Sequence, residues 1–276
     1  MKNTTIALVQ MESRFGRVED NLSKMSKFIG EAAEQGAEII CFPELCIHGY
    51  QRENVHRVAE TVPGDSARAV SDMARETGLT VLAGMAEESG FDKPYNTHLV
   101  AGPDGSLQKY RKTHLGKSEK PYFTPAGEFP VFYTESAGFA IEICWELHFP
   151  EISAILSLQG AEIIFAPHAS PTIVGDRRSI WLKYLAARAY DNSVFIASCN
   201  LVGQGSEKQS FCGGALVIDP KGNVVSEAFN YREELLITRL DATLINTIRR
   251  QESESMRNSF FLQARRPELY KDLSDF

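Results

Sequence analysis

No apolar run in this sequence approaches the roughly 18 consecutive residues that a membrane span needs. The opening residues, MKNTTIALVQ, lack the apolar stretch and small-residue cleavage site of a signal peptide. These two absences predict a cytoplasmic protein with no membrane partner. Basic clusters are missing as well: Lys and Arg are dispersed, and the net charge is −7, which argues against nucleic acid and anionic lipid surfaces. The five cysteines, at positions 41, 46, 144, 199 and 212, are odd in number and form no Cys-x-x-Cys pair. A disulfide framework or a structural zinc site is therefore not expected. Each cysteine defaults to a small buried hydrophobe unless its surroundings activate the thiol. Linkers, low-complexity stretches and short repeats are also absent, so residues 1–276 read as one domain, with 241–276 as a C-terminal tail available for dimer contacts.

Short apolar runs alternate with helical patterns. Residues 5–10 (TIALVQ), 38–42 (EIICF), 79–84 (LTVLAG), 138–143 (GFAIEI), 161–166 (AEIIFA) and 194–198 read as strands. Helices are expected after residue 20, over 65–77 from an Asp65 cap, from Pro150 to Leu158, and over 176–191. GPDG between residues 98–101 and 107–111, and DPKG after 215–219, are hairpin turns. Strand–helix alternation combined with hairpins predicts a layered α/β fold with mixed sheets.

Three polar residues stand directly after strands, where α/β proteins place their sites. Glu44 follows EIICF and a proline, Lys112 follows the run ending Tyr110-Arg111, and Cys144 follows GFAIEI. Taken singly, each reads as a rim charge or a core cysteine. Together they make an acyl-transfer set. A thiol needs a neighbouring base, a carboxylate can take its proton and return it to a leaving amine, and an ammonium can hold the oxyanion between these steps.

FPELCIHGY (residues 42–50), YRKTHL (110–115) and EICWELHFPE (142–151) resemble, in order and with 32 residues between Lys112 and Cys144, the three blocks of the nitrilase superfamily of carbon–nitrogen hydrolases. The resemblance implies a four-layer α-β-β-α sandwich that pairs into an α-β-β-α-α-β-β-α homodimer or larger oligomer, with no cofactor and no metal. It assigns Cys144 as nucleophile, Glu44 as general base and Lys112 as transition-state stabiliser. A further family segment resembles SEKPYF (118–123) and adds Glu119 as a fourth catalytic candidate. The implied substrate is a small-molecule amide or ureido compound.

Departures from the amidase pattern after the nucleophile fall at Glu146 and His148, where Asp and Arg are usual. Trp145-Glu146 is similar to true nitrilases, so a nitrile substrate is the first alternative. His148 and His168 leave room for a second, a Cys–His amidohydrolase. Trp145, Glu146, His148, His168 and Tyr50 are the expected substrate-binding residues. An apolar face on the 176–191 helix (Trp181, Tyr184, Leu185) and on the helix after Pro150 (Ile152, Ile155, Leu156) gives dimerisation a physical basis.

Overall fold

The computed structural model describes residues 1–206, 209–250 and 255–274. In chain order its elements are β1 (Thr4–Gln10), α1 (Val18–Glu34), β2 (Ile39–Cys41), α2 (Asp65–Thr77), β3 (Thr80–Glu87), β4 (Tyr95–Ala101), β5 (Leu107–Arg111), β6 (Phe132–Tyr133) and β7 (Gly138–Ile141). Then follow α3 (Pro150–Leu158), β8 (Ile163–His168), α4 (Arg177–Asn192), β9 (Phe195–Asn200), β10 (Val202–Ser206), β11 (Gln209–Cys212), β12 (Ala215–Ile218), β13 (Val224–Ala228), β14 (Glu234–Leu240) and α5 (Ala242–Arg249).

Two six-stranded sheets carry the fold, ordered β14-β1-β2-β3-β4-β5 and β13-β12-β9-β8-β7-β6. Each has three parallel strands at its centre (β1-β2-β3, β7-β8-β9) with antiparallel neighbours outside them. Alternation along the strands explains why both faces are apolar. On β1, Ala7 and Val9 pack with α1 and α2, while Ile6 and Leu8 turn to the opposite sheet. Between the sheets, Leu82, Phe139, Ile141, Phe165 and Ala197 form a continuous core, and the Cys41 and Cys199 sulfurs meet across it at 3.9 Å. Trp181 and Leu185 of α4 cover the outer face of the second sheet, as do Ile152 and Leu156 of α3. The layers therefore run α-β-β-α, as the resemblance implied.

Local chemistry sets the ends of these elements. Asp176 caps α4 by accepting from Ser179 N, at 3.3 Å. Gly78 closes α2 in the left-handed conformation, φ 76°, which a side chain disfavours. Asp65, expected as a cap, is instead the first helical residue, behind Gly64. Residues 242–249 of the expected tail form α5, which buries Ile245 and Ile248 and sends Arg249 Nη2 to Ala161 O at 2.6 Å. Trp181, Leu185, Ile152 and Leu156 are wholly engaged with their own sheet, so they are not available for a partner, contrary to the expectation; Ile155 and Leu158 remain exposed.

Candidate active site

Three strand ends converge. Glu44 lies in the turn after β2, and that turn crosses β3 so closely that a Cβ on Gly84 would stand 2.3 Å from Leu45 N. Glycine is thus required opposite the turn. Lys112 is the first residue after β5, its N–H donating to Asn96 O at 2.8 Å. Cys144 opens a 3-10 turn (Cys144–His148) after β7. Cys144 and Leu45 both adopt positive φ, 50° and 53°, an unfavourable conformation for a side-chain-bearing residue and one that concentrates at functional sites.

The side chains assemble around Lys112. Its Nζ donates to Glu44 Oε1 at 2.7 Å and to Glu119 Oε1 at 2.8 Å, with all three side chains buried. Asn96 Nδ2 also donates to Glu44 Oε1, at 2.8 Å. Among the described residues no donor is bonded to Glu44 Oε2, which leaves that oxygen with capacity for a proton. Glu119 is saturated: Tyr50 OH donates to Oε1 at 3.2 Å and Gly116 N to Oε2 at 2.8 Å. Cys144 is partly exposed, and the group within reach of its sulfur is Ser170 Oγ, at 3.9 Å. Ser170 is itself held by Asn200, whose Oδ1 accepts from Ser170 N at 2.7 Å.

Burial and charge set the proton positions. Burial pushes Glu44 up and Lys112 opposes it, with the net shift upward. For Glu119 burial acts in the same direction, but the Lys112 charge and the hydrogen bonds from Lys112, Gly116 and Tyr50 outweigh it and hold the carboxyl below its usual range. Burial would lower Lys112, yet the two carboxylates override it, so the ammonium stays charged. The Cys144 thiol is pushed up to about 12 by burial and then by Glu44. The resting centre is a neutral thiol beside an ion-paired lysine.

The expected substrate-binding residues separate into distinct groups. Tyr50 is tied to Glu119, and Trp145 lines a cleft of about 1020 Å³ with Thr113, His114, Phe123 and Phe149. A second cleft, of about 1060 Å³, is lined by Gln51, Arg52, Pro171 and Thr172, the neighbours of Tyr50 and Ser170. Glu146 lies elsewhere. It has no exposed surface, its Oε1 accepts from Tyr110 OH, Thr113 N, Thr113 Oγ1 and His114 N, and its Oε2 accepts from Ile143 N at 2.7 Å. That makes it a brace beneath the site, not part of a pocket wall. His148 packs between Trp145, which it meets edge-on, and a tilted Tyr184 ring, with ring centroids at 4.9 and 4.8 Å. His168 is buried, with Nδ1–H donating to Ala166 O at 2.7 Å. Neither imidazole is hydrogen-bonded to Cys144, and the charges acting on the thiol come from Glu44, Lys112 and Glu119. Sequence reasoning missed Asn96 and Ser170; the latter lies two residues beyond His168.

A cysteine at one sheet's strand end, facing a buried carboxylate–lysine–carboxylate set from the other sheet, is an arrangement suited to acyl transfer. The chain belongs to the carbon–nitrogen hydrolase family, whose model matches residues 5–250. It is 34% identical over 258 residues to a nitrilase of Pyrococcus abyssi, covering 88% of this chain and 92% of that one. An omega-amidase of Xenopus laevis is 33% identical over 244 residues, covering 84% and 87%. The structure of a cysteine-to-alanine mutant of the nitrilase-superfamily amidase from Nesterenkonia sp. AN1, in complex with butyramide, matches with a TM-score of 0.84 at 26% identity, covering 98% of this chain and 97% of that one.

Proposed function

We propose that this protein hydrolyses the carbon–nitrogen bond of a small-molecule amide or N-carbamoyl compound through a thioester on Cys144, releasing ammonia. The observation that carries this reading is the Glu44–Lys112–Glu119 set, buried, ion-paired and exerting its charge on the Cys144 thiol. The thiol proton passes to Glu44 as sulfur attacks the carbonyl carbon. The carbonyl oxygen becomes an oxyanion held by the Lys112 ammonium and a backbone N–H beside Cys144. Collapse of that intermediate breaks the C–N bond, and Glu44 returns the proton to the departing nitrogen. Water then attacks the thioester, loses its proton to Glu44, and frees the acid and the thiol. A base whose affinity for protons is raised toward neutrality suits both steps. Glu119, already saturated, is a positioning residue for Lys112.

The nitrilase from Pyrococcus abyssi is matched as well as the omega-amidase, but Glu146, the residue that suggested nitrile chemistry, braces the backbone here. The amide reading is preferred because the matched solved structures are of an amidase, one of them in complex with butyramide. Ammonia release across ω-amides, N-carbamoyl amines and amino acids, and simple nitriles tests it. Cys144→Ala should abolish turnover with the circular dichroism spectrum intact, and brief iodoacetamide treatment should label Cys144 ahead of the four buried cysteines. Full activity in Cys144→Ala, or turnover of nitriles alone, would overturn the proposal.

The protein is further proposed to act in the cytoplasm, in keeping with its five free thiols, and as a homodimer or larger oligomer. Among the described residues no helix is long and apolar enough to cross a membrane. Pairing is supported by exposed Ile155, Leu158 and Tyr190, the last stacked on Phe261 at 5.5 Å. Light scattering that gave a mass near 30.7 kDa would exclude the oligomer.

A further inference from the structure

Beside the nucleophile, the second sheet ends with a side chain standing in for backbone pairing. β8 and β9 run parallel, and His168 opposite Asn200 is the last pair of their ladder. Beyond that pair, Asn200 Oδ1 accepts from Ser170 N at 2.7 Å and its Nδ2 donates to Ser170 O at 3.3 Å. The carboxamide thus extends the ladder by a rung, offering an acceptor to the N–H and a donor to the C=O. Its orientation is determined, because the reverse would set an N–H against the Ser170 N–H. Asn200 is itself fixed: it has no exposed surface, and Nδ2 also donates to Gly213 O at 2.9 Å. The Cys212 thiol gives Ser170 O a second donor, at 3.5 Å. Pro171 follows, which disfavours helical backbone at Ser170.

So much restraint on the backbone fixes where the side chain lies. Ser170 is 5% exposed, and among the described residues the group in reach of its Oγ is Cys144 Sγ, at 3.9 Å. That separation is long for a hydrogen bond between neutral groups, as catalytic hydrogen bonds often are before substrate enters. The sulfur is otherwise poorly provided for. Burial and the charges of Glu44 and Glu119 oppose its ionisation, and the opposing cation, Lys112, is bonded to both carboxylates. Tyr50 and Tyr184 also face the sulfur, and burial pushes both phenols up, so they stay protonated. The Ser170 hydroxyl favours the anion by donating to it. Among the described residues no base is bonded to that hydroxyl, so it is equipped to donate and not to act as a rival nucleophile.

We propose that Ser170 is a further catalytic residue: its hydroxyl donates a hydrogen bond to Cys144 Sγ whenever the sulfur carries charge, and Asn200 is the positioning residue that holds it there. This rests on the carbon–nitrogen hydrolase reading and adds a donor for sulfur to the donors for the oxyanion. In acylation the thiol proton goes to Glu44, the sulfur electron pair forms the S–C bond, and the Ser170 O–H closes on sulfur as charge builds. In deacylation the proton of water goes to Glu44 and the C–S bond breaks. Sulfur departs with the electron pair and accepts the Ser170 hydrogen bond until Glu44 returns the proton. Ser170 keeps its own proton throughout. Charge on the carbonyl oxygen and charge on sulfur are thereby met by different groups, Lys112 for the first and Ser170 for the second.

The test reads the sulfur directly, as the rate at which iodoacetamide alkylates Cys144, followed by mass at that residue. Ser170→Ala removes the hydroxyl and leaves the Asn200 bonds in place, since they run to backbone atoms. It should slow alkylation roughly tenfold, and lower kcat by a similar factor with KM nearly unchanged, as loss of a hydrogen bond to a charged atom predicts. The pH dependence of alkylation should move to higher pH, because a thiolate without its donor is harder to form. Ser170→Thr, which keeps a hydroxyl, should recover most of both rates. Asn200→Ala should slow alkylation alone but add little to Ser170→Ala, because it acts through that hydroxyl. Wild-type alkylation and kcat in Ser170→Ala would overturn the proposal, as would a loss confined to KM, the mark of a pocket wall. Full additivity in the double variant would overturn the positioning role of Asn200. If wild type hydrolyses no amide yet Ser170→Ala slows alkylation, the Ser170 assignment stands and the hydrolase reading alone falls. An active amidase whose Ser170→Ala variant is alkylated normally would give the reverse.

Discussion

The two sides of Cys144 are built on opposite terms. On the Lys112 side every charge is answered within the protein: one ammonium lies between two carboxylates, Asn96 adds a second donor to Glu44 Oε1, Tyr50 and the Gly116 N–H donate to Glu119, and Glu44 Oε2 keeps its capacity for a proton. On the α4 side, Arg177, His168 and Trp181 each keep a buried polar atom without a partner. The first arrangement holds its geometry before any substrate arrives, which is what transition-state stabilisation requires. The second leaves those three atoms unmet. The two sides of the nucleophile thus differ in how fully their buried polar groups are met.

The largest contrast should come from removing each side's cation. Lys112→Met leaves two buried carboxylates together, and breaking a buried pair costs about 3–5 kcal/mol. Urea unfolding should show that loss, and loss of an oxyanion partner should lower kcat by roughly a hundred- to a thousandfold. Arg177→Met breaks no pair, so the ligand-free protein should hold its stability or gain some. Equal destabilisation by the two would erase the contrast. An intermediate effect is expected at the brace. Glu146→Gln must set an N–H against the Ile143 N–H or against the donors at Oε1. An unmet buried group costs about 1–3 kcal/mol, and an unchanged urea midpoint would deny Glu146 that role.

The smallest effect concerns pH. Burial raises the pKa of Glu142 to about 8, with Ser153 Oγ as its donor. Because the folded value exceeds the unfolded one, its stabilising contribution is fully present at acid pH, below the ordinary carboxylate value. It declines as pH rises toward and through about 8. Glu142→Gln should flatten this alkaline limb in Tm measured from pH 6 to 9. Glu60 has the opposite sign: His48 and Ser66 lower it to about 2, so its contribution is present at neutral pH and is lost only under strong acid. A limb unchanged in Glu142→Gln would show that another group controls it.

Much of this was legible in the sequence, for physical reasons. Buried parallel strands require continuous apolar runs, so β1, β2, β3, β7 and β8 stood out; Glu44 and Cys144 follow two of these runs, and Lys112 follows the more polar edge strand β5. Glu119 could be singled out only through the family resemblance, because a loop carboxylate beside two lysines looks like a solvated charge. β6 has two residues and β10 includes two glycines, so neither offers a period to detect. α5 reads as tail in the sequence because its buried side is short, made of Ala242, Ile245 and Ile248. Trp181 and Leu185 had the right spacing for an interface, but spacing does not say which neighbour covers a face. Arg177 gave no signal at all: next to Arg178, it looked like any charged residue at a helix start.

Glu146 joins what topology keeps apart. Tyr110, Thr113 and His114 flank Lys112 at the edge of the first sheet, while Ile143 precedes Cys144 in the second, and one carboxylate binds both sets. The two sheets meet mainly through apolar side chains, which tolerate sliding better than hydrogen bonds do. With Glu146 as a pin, the nucleophile and its lysine cannot drift apart by gradual slippage of one layer over the other. Heating should therefore leave the enzyme at full competence until the layers separate, and activity should then fall in the same cooperative step as the fold.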